Sequence, residues 1–302
     1  LEGVLHSMAT GFLVECTSPA LDVDRVERTL REARLQAGPP APPIYARAWE
    51  SVWHELSKKY QDRHPYLNEL RRHPSLKQGL GGDIQTTPGW VLVYSLLWGG
   101  PGYAKDLDQL MRTLVGGTDQ LGYAEAVEVG LPHVRASSDA PSVIDASCLN
   151  ALGSSRLIVP ATTLDGRDVA LDPGVLAALI AEIRLPLRHV PGSLLDKADI
   201  LDFPGGRALK GINGFGPAEL NSGRLENAIE VYKRGKLTFL FEQYSVDREI
   251  TSLLLCSPGP TKPEAIQLQS QVESWLQIRH GSATPKDPKE VEQPSLFVAL
   301  TK

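Results

Sequence analysis

The feature that most constrains the fold is a short, largely apolar segment, Ala198–Leu201, that leads into Asp202 and stops at Pro204-Gly205. A run of this length bounded by turn residues predicts a buried strand, because proline and glycine end a strand at once. Asp202 is then expected at the carboxyl end of that strand. Open α/β sheets bind their ligands at this edge.

Asp202 and Gly205 also have the residue types that a nucleotide-hydrolysing switch requires. A carboxylate at this position holds Mg²⁺ through water, and a glycine without a Cβ atom lets a backbone N–H approach the terminal phosphate. Ordinary turns that end a strand contain the same D-x-P-G pattern. The pattern alone therefore leaves both interpretations open.

Composition excludes several classes of protein. A formal net charge of −5 gives no electrostatic footprint for nucleic acid. Three widely spaced cysteines, an odd number, argue for a reducing compartment rather than a disulfide framework. No apolar run approaches the ~20 residues of a transmembrane helix, and no secretory signal pattern is present. We therefore expect no transmembrane segment and residence in the cytoplasm.

The chain changes character near residue 155. Residues 1–154 show helical periodicity, with Trp49 and Trp53 on one apolar face. Residues 155–302 show strands alternating with helices, which predicts a parallel sheet covered by helices. The predicted elements of this second half are a hairpin around Asp165-Gly166, a helix over 174–185, the strand ending at Asp202, helices over 225–233 and from Leu237, a strand over 251–256, a helix over 264–280 and a strand over 296–300.

The glycine-rich stretch 99–102, continuing to Lys105, superficially resembles a phosphate loop but fails its test, and so does Gly235-Lys236. The motif G-x-x-x-x-G-K-[ST] requires a hydroxyl residue directly after the lysine. Asp106 follows Lys105, and Leu237 follows Lys236. Histidines such as His64 and His73 lack partners at metal-ligand spacing, and we expect surface or capping positions for them.

The last predicted strand ends in Leu300-Thr301-Lys302. Guanine-nucleotide switches carry [N/T]-K-x-D at the end of such a strand, where the lysine stem lies along the base. Asp202 and Thr301-Lys302 would share one edge of the sheet, with the strand over 251–256 between them. Their joint occurrence favours a nucleotide switch, and a pair of ordinary core strands is the remaining alternative.

Several segments, in chain order, resemble the SrfC-type virulence factors of bacteria, which are large proteins with a dynamin-like, P-loop GTPase-type region. The resemblance covers most of the chain. The segments that carry it are Leu97-Trp98-Gly99, Ser142–Leu152, Leu195–Arg207 with its D-F-P-G core, Arg234–Tyr244, Leu253–Cys256, Trp275 with His280-Gly281, and Leu300–Lys302.

The resemblance implies a role for each matching residue. Asp202 would hold Mg²⁺ through water, and the Gly205 N–H would face the γ-phosphate of GTP. Thr301 and Lys302 would begin the base-recognition motif, and Arg207 would contact a phosphate. The implied fold is α/β, a partial P-loop GTPase-like parallel sheet flanked by helices, with a large, mainly α-helical N-terminal half.

The same resemblance makes residues 1–154 a helical insertion between the phosphate loop and the switch strand, and residues 155–302 a GTPase-like core. The phosphate loop, the switch threonine and the base-reading aspartate are not in this sequence, whose two ends resemble the interior of a longer protein. We therefore do not expect this segment alone to hydrolyse nucleotide. The implied partners are a guanine nucleotide and other proteins of a virulence-associated complex, in the bacterial cytoplasm or after export without a signal peptide.

Two other functions remain open. The chain could be a non-catalytic helical scaffold whose α/β part has a degenerate nucleotide site. A hydrolase built on Asp199 and Asp202 is the weaker alternative, because residues three apart on a strand face opposite sides.

Overall fold

The computed structural model describes residues 1–60, 64–77, 80–134, 146–152, 157–184, 214–247, 249–257, 263–281 and 295–300. The chain divides into two compact units. The helical unit comprises residues 1–184 and 213–236, and the parallel-strand unit comprises residues 185–212 and 237–302. The mixture of helices and strands confirms the α/β class.

The helical unit contains most of the helices described. The helices within residues 1–134 confirm the helical prediction for the first half of the chain. Its helices are α1 (Glu2–Glu15), α2 (Val23–Leu35), α3 (Ile44–Lys59), α4 (Pro65–Arg72), α5 (Pro74–Lys77), α6 (Thr87–Ser95), α7 (Lys105–Gln120), α8 (Leu131–Val134), α9 (Pro173–Leu179) and α10 (Glu226–Val246), of which α10 continues into the parallel-strand unit. Short 3₁₀ helices lie at Gly81–Asp83, Leu96–Trp98, Ala146–Ala151 and Glu219–Asn221.

Helix α1 lies in the core of the helical unit. Its apolar residues Leu5, Met8 and Phe12 have no exposed surface, and its polar residues are also largely buried. Gly11 packs directly against the backbone of Val231 on α10. A helix buried on nearly all sides is typical of the centre of a helical assembly.

Helix α10 corrects one prediction. Two separate helices were expected, but Glu226–Val246 is continuous through Gly235. A glycine inside a helix is unfavourable by about 0.5–1 kcal/mol relative to alanine. Here Gly235 lies against the backbone of α1, which leaves no room for a side chain. The glycine serves a helix crossing and does not end the helix.

A small antiparallel sheet packs on the helical unit, with strands in the order β1 (Val127–Val129), β2 (Val159–Thr163) and β3 (Asp168–Leu171). The predicted hairpin is confirmed, and Gly166 takes the left-handed turn position with φ 83°. The first strand runs over 159–163 instead of 156–159. The structure adds β1, which lies in the half predicted to be helical.

Asp172 begins α9 as predicted. Its carboxylate accepts hydrogen bonds from the backbone N–H groups of Gly174 at 2.7 Å and Val175 at 3.2 Å. The helix ends at Leu179, earlier than the predicted residue 185. It packs on α7, where Gly117 lies beneath Val175 with no space for a Cβ atom.

The described part of the parallel-strand unit contains a β-α-β element: β4 (Leu253–Ser257), α11 (Pro263–His280) and β5 (Leu296–Leu300). The two strands pair in parallel, as predicted, from Leu253 opposite Leu296 to Ser257 opposite Leu300. Phe241, Ile250 and Trp275 form the core beside them. The described residues provide two parallel strands, and a larger GTPase-like sheet stays a prediction.

Candidate functional site

The residues expected to bind nucleotide lie outside the part of the chain that the structure describes. They are Asp202, Gly205, Arg207, Thr301 and Lys302. The structure does describe Leu300, which directly precedes Thr301 in the sequence. It also describes Gly214–Gly216, at the end of the glycine-rich stretch 206–216, which the sequence predicts to be a loop.

The carboxyl edge of the parallel strands is the candidate site in the parallel-strand unit. Ser257 and Leu300, the last residues of β4 and β5, are paired neighbours at this edge. The crossover through α11 is the connection that parallel strands require. Ligands of such sheets bind beyond the carboxyl ends of the strands. Leu300, the last described residue of the chain, lies at that edge.

Polar contacts support the opposite, amino edge. The Trp275 indole, with 1% exposed surface, donates a hydrogen bond from Nε1 to the Ile250 carbonyl oxygen at 3.4 Å. The Leu253 N–H donates to the Ser295 carbonyl oxygen at 2.7 Å. His280 Nε2 and Ser295 Oγ lie 2.6 Å apart. These contacts fix where both strands begin and the end of α11 beside them.

The glycine-rich segment Gly99–Gly102 leads into α7, as a phosphate loop leads into a helix. Gly99, Gly100 and Gly102 all have positive φ values. A 3₁₀ helix precedes the segment where a phosphate loop would follow a strand. The first turn of α7 carries two acidic residues, Asp106 and Asp108, which repel an anion at the helix N-terminus. The structure thus gives an independent reason to reject a phosphate loop here.

Chain segments from elsewhere in the helical unit already occupy the start of α7. The Asp106 carboxylate is buried and accepts hydrogen bonds from Ser222 N at 3.0 Å, Ser222 Oγ at 3.1 Å and Gly223 N at 3.2 Å. The Lys105 N–H donates to Asn221 Oδ1 at 3.1 Å. These residues are more than a hundred positions apart in sequence, and sequence patterns did not indicate their contact.

Asp108 lies two residues further along, in the same turn of α7, and is also buried. Burial raises the pKa of Asp108 to about 6, although hydrogen bonds from Trp98 and from the Gly102 backbone act in the opposite direction. The Trp98 Nε1–H donates to Asp108 Oδ1 at 2.8 Å. This contact holds the glycine-rich segment against α7.

The second lysine that resembled a phosphate-loop lysine has a structural role. Lys236 Nζ donates hydrogen bonds to the carbonyl oxygens of Ala177 at 3.2 Å, Ala178 at 2.7 Å and Ile180. Burial lowers the pKa of Lys236 to about 8. A cation at the carbonyl end of a helix is electrostatically favourable. Lys236 therefore holds the end of α9 against α10.

A tyrosine cluster lies at the other end of α7. The Tyr45 hydroxyl donates to Asp119 Oδ1 at 2.8 Å, and the Tyr123 hydroxyl contacts both groups. Burial, followed by the hydrogen bond with Asp119, raises the pKa of Tyr123 to about 12. Both phenols therefore remain hydrogen-bond donors near neutral pH, and the cluster joins α3 to the end of α7.

No histidine in the described part of the chain belongs to a metal-ligand group. Within the described ranges, no group of three or more His, Cys, Asp or Glu side chains is arranged to hold a metal ion. His64 and His73 occupy positions at the two ends of α4, as expected for capping residues, but both are buried rather than exposed.

The comparisons with known proteins gave one match. The sequence model of a family described as "Putative bacterial virulence factor" matches residues 89–302. Neither the curated proteins nor the solved structures contain a match. None of the helices in the described ranges has the length and apolarity needed to cross a bilayer. Because the match spans well over half of the chain, including α7, the small sheet and the β-α-β element, this protein belongs to the family of putative bacterial virulence factors.

Proposed function

We propose that this chain is part of a bacterial virulence factor in which GTP and Mg²⁺ control a conformational switch. The observation that carries the proposal is the parallel pair β4–β5, whose carboxyl edge ends at Ser257 and Leu300. Thr301 and Lys302 follow that edge in the sequence. A base-recognition motif that begins with Thr301 and Lys302 would have to lie at the end of such a strand.

The chemistry of the donor set fits the proposed ligand. Asp202 offers a hard oxygen ligand, which suits Mg²⁺ and its retained waters. Gly205 offers a backbone N–H without a Cβ atom, as close approach to a phosphate requires. Lys302 offers an aliphatic stem that can cover a base, and Arg207 a guanidinium for phosphate.

The mechanism follows from the order of these groups along the chain. Asp202 would hold the cation, and Gly205 would report the presence of the terminal phosphate. Residues 206–216 would change conformation between the two nucleotide states. When bound, GTP would supply the phosphoanhydride bond that is cleaved. Hydrolysis of this bond is proposed for the full-length protein only.

Thermal unfolding of the full-length protein tests the proposal. Ligand at about 100 times its Kd stabilises the folded state by about 2.7 kcal/mol. We expect a non-hydrolysable GTP analogue with Mg²⁺ to raise the melting temperature of the wild type. An ATP analogue should produce a smaller increase.

Two matched variants test whether the shift in melting temperature depends on the proposed site. Asp202→Ala should abolish the shift, whereas Asp199→Ala should retain it, because residues three apart on a strand face opposite sides. No shift in the wild type, or equal loss in both variants, would overturn the proposal. The non-catalytic helical scaffold would then be the better account.

A further inference from the structure

We infer that residues 214–223, called the strap from here on, form one cooperative connection between the end of α1 and the start of α7, which transmits the nucleotide state to the helical unit. The second part of this inference rests on the proposed function, because the strap begins with Gly214–Gly216, the end of the segment 206–216 that is proposed to change conformation with the nucleotide state. The first part rests on contacts in the helical unit alone.

The first anchor joins the strap to the end of α1. The Phe215 N–H donates to the Glu15 carbonyl oxygen at 2.8 Å, and the Thr17 N–H donates to the Phe215 carbonyl oxygen at 2.9 Å. Phe215 has 5% exposed surface. Gly214 has φ 64° and lies so close to Glu15 that a Cβ atom would be 2.7 Å from its carbonyl oxygen. The strap is thus held by a buried ring and two backbone hydrogen bonds.

The second anchor joins the strap to the start of α7 through Asp106 and Asn221, as described above. The Asp106 carboxylate satisfies two backbone N–H groups and one hydroxyl of the strap. Leu220, between the anchors, is fully buried. The Gly216 N–H donates to Glu219 Oε2 at 2.9 Å, which stiffens the turn between them.

Tyr103 connects the two anchors directly. Its hydroxyl donates to the Thr17 carbonyl oxygen at 3.1 Å, and its own carbonyl oxygen accepts from Asn221 Nδ2 at 2.7 Å. Its ring also packs edge-on against Phe12 of α1. The hydrogen bonds therefore close a ring through Phe215, Thr17, Tyr103 and Asn221. Loss of one anchor removes a support of the other, so both should open together.

Hydrogen exchange on the full-length protein without nucleotide tests the cooperative connection. Local opening sets the exchange rate of protected amides. Asp106→Asn replaces one of the two accepting carboxylate oxygens by an NH2 group, so that a donor faces a donor of the strap. We expect exchange to become at least about 10-fold faster at residues 15–17 as well as at residues 103–108 and 221–223, equivalent to about 1.4 kcal/mol.

The control is Asp108→Asn, in the same turn of α7 but bonded to Trp98 instead of the strap. It should leave exchange at residues 15–17 unchanged. Asn221→Ala, a milder change, should reproduce the effect of Asp106→Asn if that variant folds poorly. Faster exchange confined to the second anchor would overturn the inference, whatever the nucleotide does.

The same experiment with a GTP analogue and Mg²⁺ separates this inference from the proposed function. We expect the analogue to slow exchange at both anchors in the wild type, and Asp106→Asn to bind it without slowing exchange at residues 15–17. Binding without any change at the anchors would overturn the transmission and leave the function intact. Absence of binding would overturn the function and, with it, the transmission.

Discussion

The carbonyl oxygen of Ser7 lies 1.9 Å from the position that a Cβ atom on Gly235 would occupy. Helices α1 and α10 therefore approach each other as closely as their backbones permit. Since the neighbouring atoms at Gly235 belong to the backbone, a side chain there cannot be accommodated by a rotamer change.

Gly235→Ala should destabilise the helical unit. Overpacking in a well-packed core raises the free energy of the folded state by about 1–3 kcal/mol, and a backbone clash lies at the upper end. Gly116→Ala on α7 is the matched control, because no atom lies within 4 Å of its added methyl. That control should be neutral or stabilise by up to about 1 kcal/mol through helix propensity. Chemical denaturation measures both, and equal stability of the two variants would contradict the close crossing.

The buried Lys236 should make stability depend on pH in the alkaline range. Its pKa falls to about 8 in the folded protein from 10.5. The unfolded state therefore binds the proton more strongly between these values, and stability should rise as the pH increases from 8. The rise is limited to about 1.4 kcal/mol per pH unit.

Denaturation of Lys236→Met from pH 7 to 9.5 tests this prediction. Burial raises the pKa of tyrosines such as Tyr232 in the folded state, so above about pH 10 these phenols would ionise first in the unfolded state and lower the stability. The upper limit of pH 9.5 avoids this effect. Lys236→Met should lack the rise, whereas Lys233→Met, which removes an exposed contact to Asn150, should retain it. Identical pH profiles for the wild type, Lys236→Met and Lys233→Met would refute the lowered pKa of Lys236.

His64 should make the protein sensitive to mild acid. Burial lowers the pKa of His64, and neither ring nitrogen has a hydrogen-bond partner among the described residues. The unfolded state then binds a proton more readily than the folded one, so stability is lost as the pH falls below about 6.5. In His64→Leu, the free energy of unfolding should differ less between pH 7 and pH 5 than it does in the wild type. His54→Leu, at an exposed position of α3, should leave the wild-type slope, and a wild-type slope in His64→Leu would count against the account.

Trp275 should control the stability of the β-α-β element. It has 1% exposed surface and lies in the core beside both strands. Trp275→Ala should reduce the free energy of unfolding of this unit by about 3–5 kcal/mol. Phe297→Ala removes a ring with 46% exposed surface from β5, and its effect should stay under about 1 kcal/mol. Exchange protection of β4 and β5 reports both, and similar losses would show that Trp275 is not the main support.

The local parts of the fold could be predicted from the sequence. Gly166 fixed the hairpin because its turn requires a left-handed residue, and Asp172 marked the start of α9 because an N-cap is read from adjacent residues. Strand β5 was predicted with its observed bounds. These features depend on residues only a few positions apart.

The non-local parts could not be predicted. The sequence predicts two helices, over 225–233 and from Leu237, where α10 is continuous, because the reason for Gly235 is the backbone of α1, which lies more than two hundred residues away in sequence. Asp106 gave no indication that its partners would be Ser222 and Gly223. The predicted nucleotide residues, including Asp202, lie outside the described ranges and stay predictions.

Calorimetric titration of the full-length protein with a non-hydrolysable GTP analogue, in Mg²⁺ and again in a chelator, tests the central claim most directly. The account predicts binding that weakens at least about 10-fold, or about 1.4 kcal/mol, when Mg²⁺ is removed. It predicts a similar loss in Asp202→Ala and none in Asp199→Ala. Binding that is indifferent to Mg²⁺ and to Asp202, or no binding at all, would contradict the nucleotide switch.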